Sequence, residues 1–262
     1  MPTYGSNLNM LAFAVGTTNL LAYLEEITVN IDNTLVDARG VADRYAYNQV
    51  VKQGQSFDCK LQLAGVLAAK ATSLDVTVWS LDGASYLGVV KSGSIDITNK
   101  AVERSAMTQA YKFPVTLDTD VSFTSDHMVV TGAALTYLAI TGTQATLAGT
   151  ILVTYAGIAF SAPMLIKSAK HSVKKGALQM ENVTFALQGT PTGPTDSSLL
   201  ALAMTGTALA AVTADTDMNS YAMNASQVCA ITKLGIKFSD GQLTNQTATF
   251  EVQGQMAATA NG

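Results

Sequence analysis

Histidine is the side chain most often used as a general base near neutral pH, and this chain has two, His127 and His171. A serine or cysteine nucleophile needs such a base beside it, fixed in orientation by a third group. Neither histidine lies in a local signature of that kind, and the sequence contains no GxSxG elbow. We therefore expect two ordinary strand or turn histidines, no catalytic residue, and a protein that is not an enzyme.

Metal and cofactor motifs are missing in the same way. Zinc prefers closely spaced Cys and His pairs, whereas Cys59 and Cys229 lie far apart in apolar stretches and indicate two buried free thiols. The segments 118–126 and 215–220 resemble calcium loops, but they lack the Gly at the sixth and the Glu at the twelfth place of an EF-hand. No phosphate-binding glycine loop occurs. The sequence predicts no metal site and no cofactor.

The chain is poor in charge. Only 13% of its 262 residues are charged and its net charge is −4, while 48% are hydrophobic. A typical soluble domain has about 25% charged residues, so much of this surface is expected to be buried against other copies of the chain. A surface rich in Thr, Ser, Asn and Gln is the alternative. The densest basic run, Lys167 to Lys175, is too small for a nucleic-acid footprint and predicts a solvated strand face.

Alternation of apolar and polar residues predicts that strands dominate. The segment EITVNID places Ile27, Val29 and Ile31 on one face, and SFDCKLQL places Phe57, Cys59, Leu61 and Leu63 on one face. The segment SLDVTVW continues the pattern with Leu74, Val76 and Val78 inward. Asp82 and Gly83 then predict a tight hairpin turn, because glycine accepts a positive φ.

An internal match at an offset of 65 residues relates 166–189 to 231–254. Seven positions are identical, among them Ile166 and Ile231, Phe185 and Phe250, and Gly176 and Gly241. The glycines fall between two strands of similar length, so each segment is predicted to be one long hairpin with the same inward face. Segments 31–51 and 95–115 share a fainter echo at an offset of 64. Chance similarity is the alternative for both.

Helices are predicted to be few. Asn7 to Leu24 has room for a short one, 101–110 reads as helix or edge strand, and TDSSLLALAMTGTALAAV favours a helix capped by Asp196 or Ser197. Residues 146–166 are long and uncharged enough for a membrane span, but their Thr, Gly and Pro residues favour strands broken by glycines.

Long hairpins and a low charge are combined in the segments 24–65, 89–115 and 168–194. In these segments the sequence resembles the tail tube (major tail) proteins of long-tailed bacteriophages. The resemblance implies a mainly β fold: a sandwich or barrel of tail-tube type with long hairpins and one or two short helices. It also implies one assembly subunit over residues 1–262, with 20–130 and 131–255 as candidate duplicated halves.

The same resemblance implies the function and the partners. Copies of the chain would form hexameric rings or pseudo-hexameric trimers, the rings would stack on one another and on other tail proteins, and DNA would pass through the lumen without sequence-specific contact. The protein would be assembled in the host cytoplasm, reside in the virion tail and have no membrane contact. A head decoration or tail terminator protein, a β-rich surface adhesin or pilus-like module, and a membrane protein are the alternatives.

Overall fold

A computed structural model describes most of the chain. The described residues are 10–15, 18–37, 48–62, 76–85, 89–104, 109–129, 135–143, 147–155, 158–193, 199–205, 212–216, 219–223, 229–239 and 245–260. They form an almost entirely antiparallel β structure, which confirms the mainly β prediction.

The strands are long where alternation is longest in the sequence. Their bounds are β1 Met10–Val15, β2 Thr18–Asn19, β3 Leu24–Asp37, β4 Asn48–Leu61, β5 Val76–Leu81, β6 Ala84–Ser85, β7 Val90–Glu103, β8 Pro114–Met128, β9 Ala148–Tyr155, β10 Ile158–Ser172, β11 Met180–Leu187, β12 Val212–Thr216, β13 Asn219–Met223, β14 Cys229–Ser239, β15 Asn245–Val252 and β16 Met256–Ala260. The helices of the described part are α1 Leu135–Thr141 and α2 Leu199–Thr205, with a 3-10 turn at Leu21–Tyr23.

Eleven of these strands form one large sheet in the order β3-β4-β15-β14-β7-β8-β11-β10-β9-β5-β6. The other five form a second sheet in the order β16-β13-β12-β1-β2. Apolar side chains from both sheets belong to one cluster of buried residues, which contains Phe13 and Val212 of the small sheet beside Phe57 and Phe185 of the large one. Helices α1 and α2 pack on β10 and β14 respectively. The large sheet therefore buries one face and leaves the other open.

The hairpin match at offset 65 is confirmed by strand register. In β10–β11, Ile166 lies opposite Phe185, and in β14–β15, Ile231 lies opposite Phe250. Each hairpin has a bulge directly after its isoleucine, between Ile166 and Ser168 or between Ile231 and Lys233. Identical register and an identical bulge mean that the two segments share one design. The turn at Gly176 has φ +77, whereas Gly241 lies outside the described residues.

A second repeated hairpin appears in the structure at an offset of 66. Val29 lies opposite Phe57 in β3–β4, and Ile95 lies opposite Phe123 in β7–β8. Phe57 in turn pairs with Phe250 of β15, just as Phe123 pairs with Phe185 of β11. The large sheet thus contains two units of four strands with the same order, β3-β4-β15-β14 and β7-β8-β11-β10. The echo at offset 64 was two residues away from this register.

Each four-stranded unit takes one hairpin from the first half of the chain and one from the second. Both members of the offset-65 pair lie in 131–255, and both members of the offset-66 pair lie in 20–130. These matches relate hairpins within each half and do not relate one half to the other. The division into duplicated halves therefore remains a prediction.

Two inward positions were predicted wrongly, one because of a bulge and one because a strand extends beyond its neighbours. The register of β5 shifts between Val76 and Val78, and past this bulge Trp79 is fully buried against Phe123. A one-residue bulge moves the following side chains to the other face, which a strict alternation misses. Ile31 is exposed instead of inward, because β3 extends there beyond the sheet neighbours that would cover it. Phe57, Cys59 and Leu61 are buried as predicted.

The remaining element predictions had mixed outcomes. The N-terminal helix was wrong: within Asn7 to Leu24 the structure has β1, β2 and the 3-10 turn. Helix α2 is confirmed, although its predicted caps lie outside the described residues. Residues 101–103 end β7, and the 146–166 segment forms β9 and most of β10. Among the described residues, no helix is long and apolar enough to cross a membrane.

Candidate assembly surfaces

The two histidines lie in very different surroundings. His171 is exposed on β10. His127 is buried on β8, with its Nε2 3.1 Å from Oε2 of Glu181 on the neighbouring β11 and its ring 6.3 Å from the ring of Trp79. The contact joins an imidazole to a carboxylate, and both side chains lie inside the core.

Glu181 connects the sheet to helix α1. Its carboxylate accepts hydrogen bonds from the backbone N–H groups of Leu135 and Thr136, at 2.8 and 2.9 Å, and from the Thr136 hydroxyl. These are the amides that a helix leaves without partners at its start, and a negative charge is favourable there. The sequence did not reveal this residue, because its partners are 45 and 54 positions away.

The charge states of the pair follow from burial and hydrogen bonding. Burial lowers the pKa of His127 against the opposing influence of Glu181, so the imidazole is neutral at pH 7. Burial by itself would raise the pKa of Glu181, but the hydrogen bonds from Thr136 and Leu135 outweigh it and lower the pKa. The arrangement is a structural anchor for α1.

Both cysteines are buried free thiols, as predicted. Burial raises the pKa of each thiol to about 12, which leaves neither as a reactive thiolate. The calcium-like segment 118–126 is an extended part of β8, a geometry that cannot wrap around an ion. In the described part of the chain, no group of three or more Cys, His, Asp or Glu could hold a metal ion.

The open side of the large sheet is a continuous polar surface, which we call the polar face. It comprises Asp58 and Lys60 of β4, Thr247 and Thr249 of β15, Lys233 and Lys237 of β14, Ser92, Ser94, Asp96 and Thr98 of β7, and Ser122, Thr124 and Asp126 of β8. None of them is buried. Directly opposed residues in neighbouring strands point to the same side, so the register alone brings these side chains together.

Carboxylates on the polar face are held by neighbouring strands. Asp58 accepts from Asn30 and from Thr249, each at 2.6 Å. Asp126 accepts from Ser92 at 2.8 Å and from Asn182 at 2.5 Å. Each carboxylate therefore links three adjacent strands, while the lysines of the face lie between the acidic positions. The result is a hydroxyl-rich surface of mixed charge without a dense cationic patch.

Two hairpins extend beyond this sheet, and we call their outer parts the arms. The first arm comprises residues 33–37 and 48–53, and the second comprises 99–103 and 114–119. Lys52 of the first arm pairs with Glu103 of the second at 2.5 Å, and backbone hydrogen bonds join Gln53 to Ala110 and Lys112. The two arms therefore support each other outside the sheet.

The arms and adjoining chain carry exposed apolar side chains. These are Ile31, Leu35, Val36, Val50 and Val51 around the first arm and Val102, Phe113 and Leu117 around the second. Soluble monomers rarely concentrate such residues in one region, and larger apolar patches mark interaction sites. The arms are the principal concentration of exposed apolar residues among those described.

Backbone edges are the third feature of the sheet. β3 ends the sheet on one side, and its outer edge has no strand partner in the described chain. β10 is covered on one side by β11, but on the other side β9 reaches only from Ile158 to Leu165. Within the part of the chain that the structure describes, Ser168–Ser172 is therefore a further open edge, besides the two ends of the sheet at β3 and at the short β6. Unpaired strand edges readily accept another strand.

Comparisons with known proteins give little beyond these observations. No protein-family model matches the chain, and no curated protein matches it. Among solved structures, part of the chain is similar to a chain from the "Virion of native gene transfer agent (GTA) particle". The TM-score is 0.39 and the identity 11%, over 46% of this chain and 95% of that chain. A likeness of this size leaves the family open.

Proposed function

We propose that this protein is a structural subunit of a phage tail tube, which self-assembles into stacked rings around a DNA-conducting channel. The observation that carries the proposal is the large antiparallel sheet, which is apolar on one side, polar on the other and open along β3 and along Ser168–Ser172 of β10. A sheet of this kind removes its edges by joining copies of itself into a closed barrel. The two four-stranded units in one chain favour a pseudo-hexameric trimer over a hexamer.

The polar face suits the inside of such a barrel. Its hydroxyl groups keep the surface hydrated, and its carboxylates are anchored by Asn30, Thr249, Ser92 and Asn182. DNA is gripped when several Lys or Arg side chains neutralise phosphates together. A face on which Asp and Lys are interspersed would let DNA pass without strong adhesion.

The arms suit the contact between successive rings. They lie outside the sheet, support each other through the Lys52–Glu103 pair, and expose apolar side chains at the same end. Burying these side chains against the next ring would stabilise stacking by the hydrophobic effect. The low charge of the chain is consistent with this use of its surface.

Negative-stain electron microscopy of the purified protein, together with light scattering over a concentration series, tests the proposal. We expect rings or hollow filaments that grow with concentration. Monomers that never polymerise, with or without a tail initiator complex, would contradict it. Trimers that bind capsids without stacking would instead indicate a head decoration protein.

A further inference from the structure

The chain contains an internal example of how its repeated units join. The first unit meets the second where β14 pairs with β7, and Lys233–Ser239 lie opposite Thr98–Ser92. Subtracting the hairpin offsets, 65 for β14 and 66 for β7, converts these stretches to 168–174 and 32–26. The stretch 168–174 begins on the part of β10 that β9 leaves unpaired and runs two residues past the end of that strand. The stretch 26–32 lies on the outer edge of β3.

An asparagine fixes the internal junction. Asn99 is buried, and its Nδ2 donates to the carbonyl of Ile231 at 2.7 Å and to the carbonyl of Ala203 in α2 at 2.9 Å. Its Oδ1 accepts from Thr119 at 2.6 Å. One side chain thus joins β7, β14 and α2 beside the Lys233–Thr98 pair, where the pairing of β14 with β7 ends.

The same asparagine occurs at the open edge. Asn33 occupies the position of Asn99 at offset 66, and its Oδ1 accepts from Gln53, which stands where Thr119 stands. The matching carbonyls belong to Ile166 on β10 and to Ala139 in α1, since α1 precedes α2 by 64 residues. Within one chain the side-chain amide of Asn33 is held by Gln53 but is exposed, whereas that of Asn99 is buried.

We propose that β3 of one copy pairs antiparallel with residues 168–174 of a second copy, with Lys170 opposite Asn30 and Asn33 donating to Ile166 and Ala139. This inference rests on the proposed ring assembly and specifies its register. It converts two open edges into the junction that β14 and β7 already form inside the chain.

Side chains at the two edges are complementary in this register. Val173 is 69% exposed and stands where Phe238 stands, while Ile27 stands where Gly93 stands. Phe238 covers Gly93 in the internal junction, where an added Cβ would lie 2.5 Å from its ring. In the proposed junction Val173 is smaller than the phenylalanine it replaces, and Ile27 is larger than the glycine it replaces. The two side chains together would fill the space that the Phe238 ring fills in the internal junction.

Charge supports the same register. Lys174 falls opposite Glu26, and Lys170 lies one diagonal step from Asp32. Opposite charges facing each other across a strand pair are favourable, and a slip of one residue would move every side chain to the wrong face. The basic run from Lys167 to Lys175, which the sequence predicts to be a solvated strand face, would therefore face acidic residues of a second copy.

Cysteine cross-linking tests the register. Asn30→Cys and Lys170→Cys variants are mixed, assembled and oxidised, and the Ile31→Cys and Ala169→Cys variants are treated likewise. Neighbouring pairs alternate between closer and wider spacing, so one of the two pairs should have disulfide geometry. We expect a covalent dimer on a non-reducing gel from at least one mixture. Both native cysteines are buried and stay out of the reaction.

The matched control combines Asn30→Cys with Ser172→Cys, which is two residues out of register on the same face. Diagonal neighbours of this kind lie about 7–8 Å apart and should not cross-link. Equal yields for both mixtures, or rings without any cross-link, would overturn the register and leave ring assembly standing. If no assembly forms at all, both the register and the proposed function fail.

Replacing Asn33 tests the amide separately. Asn33→Ala should leave the unfolding midpoint of the monomer unchanged and raise the concentration needed for assembly about tenfold, the effect of losing roughly one good hydrogen bond. Thr34→Ala, the adjacent exposed position, is the control. If the two variants assemble equally well, Asn33 does not join the copies.

Discussion

Two phenylalanines occupy equivalent places in the matched hairpins, and each is almost fully buried. Phe185 and Phe250 are 1% and 0% exposed. Replacing either with Ala should lower the free energy of unfolding by about 3–5 kcal/mol, because the lost contacts leave a cavity that the sheet cannot close. Urea denaturation of the monomer measures this, with exposed Leu178→Ala as the control. A loss near zero would show that the assigned inward face is wrong.

The buried His127–Glu181 contact makes stability depend on pH. The lowered pKa of His127 means that the folded state resists protonation, so stability is lost as pH falls below about 6.5. The lowered pKa of Glu181 adds a further loss as pH falls below about 4.5. Both groups therefore favour the folded state at neutral pH and disfavour it in acid.

A variant separates the histidine contribution. His127→Gln should flatten the decline of the unfolding free energy between pH 6.5 and 5, as measured by chemical denaturation at fixed ionic strength. His171→Gln, at the exposed histidine, should keep the slope of the original chain. An unchanged slope in His127→Gln would mean that His127 titrates in the folded state as it does in the unfolded one.

At the scale of elements, alternation predicted the strands and failed at their irregularities. The inward faces of β4, β11 and β15 follow directly from the sequence, and so does the Asp82–Gly83 turn, where both residues have positive φ. The bulge in β5 places Trp79 on the buried face, opposite to the side that strict alternation predicts. The sequence did not reveal this bulge, because a single extra residue has no signature in an apolar run. The helix expected in Asn7 to Leu24 became strands because tertiary pairing with β12 outweighs local propensity.

The arms allow assembly to be separated from folding. Leu35 and Val50 lie directly opposite each other in the first arm, and both are exposed. The double replacement Leu35→Ser and Val50→Ser should change the unfolding free energy of the monomer by no more than about 0.5 kcal/mol per site. It should sharply raise the concentration at which filaments appear in electron micrographs.

The control makes the same kind of substitution, apolar to serine, at exposed residues outside the arms. Leu178→Ser with Ile140→Ser removes two apolar side chains that are even more exposed and lie outside both arms. Filament formation should be unaffected by this pair. If the arm variant polymerises as well as this control, stacking does not depend on the first arm.

At the scale of the whole molecule, the mixed charge of the polar face should limit its affinity for DNA. Replacing Asp58, Asp96 and Asp126 with Asn leaves the lysines unopposed and should raise the affinity of assembled rings for duplex DNA about tenfold or more at low salt. Fluorescence anisotropy at two salt concentrations measures this. The control Asp37→Asn with Asp82→Asn removes two negative charges at positions outside the polar face, and a similar gain in affinity per charge removed would contradict the assignment.

The candidate surfaces were harder to predict than the fold. The polar face follows from the alternation of each strand, but only register shows that Asp58 meets Thr249 across 191 positions. The hairpins at offset 66 share hydrophobic character more than identical residues. The match visible in the sequence, at offset 64, therefore lies two residues away from the register of the structure. Asn33 and Asn99 carry no signal of their own, because an isolated asparagine in a strand has no characteristic spacing.

The pairing of β4 with β15 has a consequence for synthesis on the ribosome. Phe57 of an early hairpin finds its neighbour, Phe250, only after nearly the whole chain has been translated. Until then β4 has β3 alone beside it, and contacts so distant in sequence are slow to form. The nascent hairpin would therefore wait with an unsatisfied edge during elongation, and chaperones that shield extended segments would be needed most over this interval.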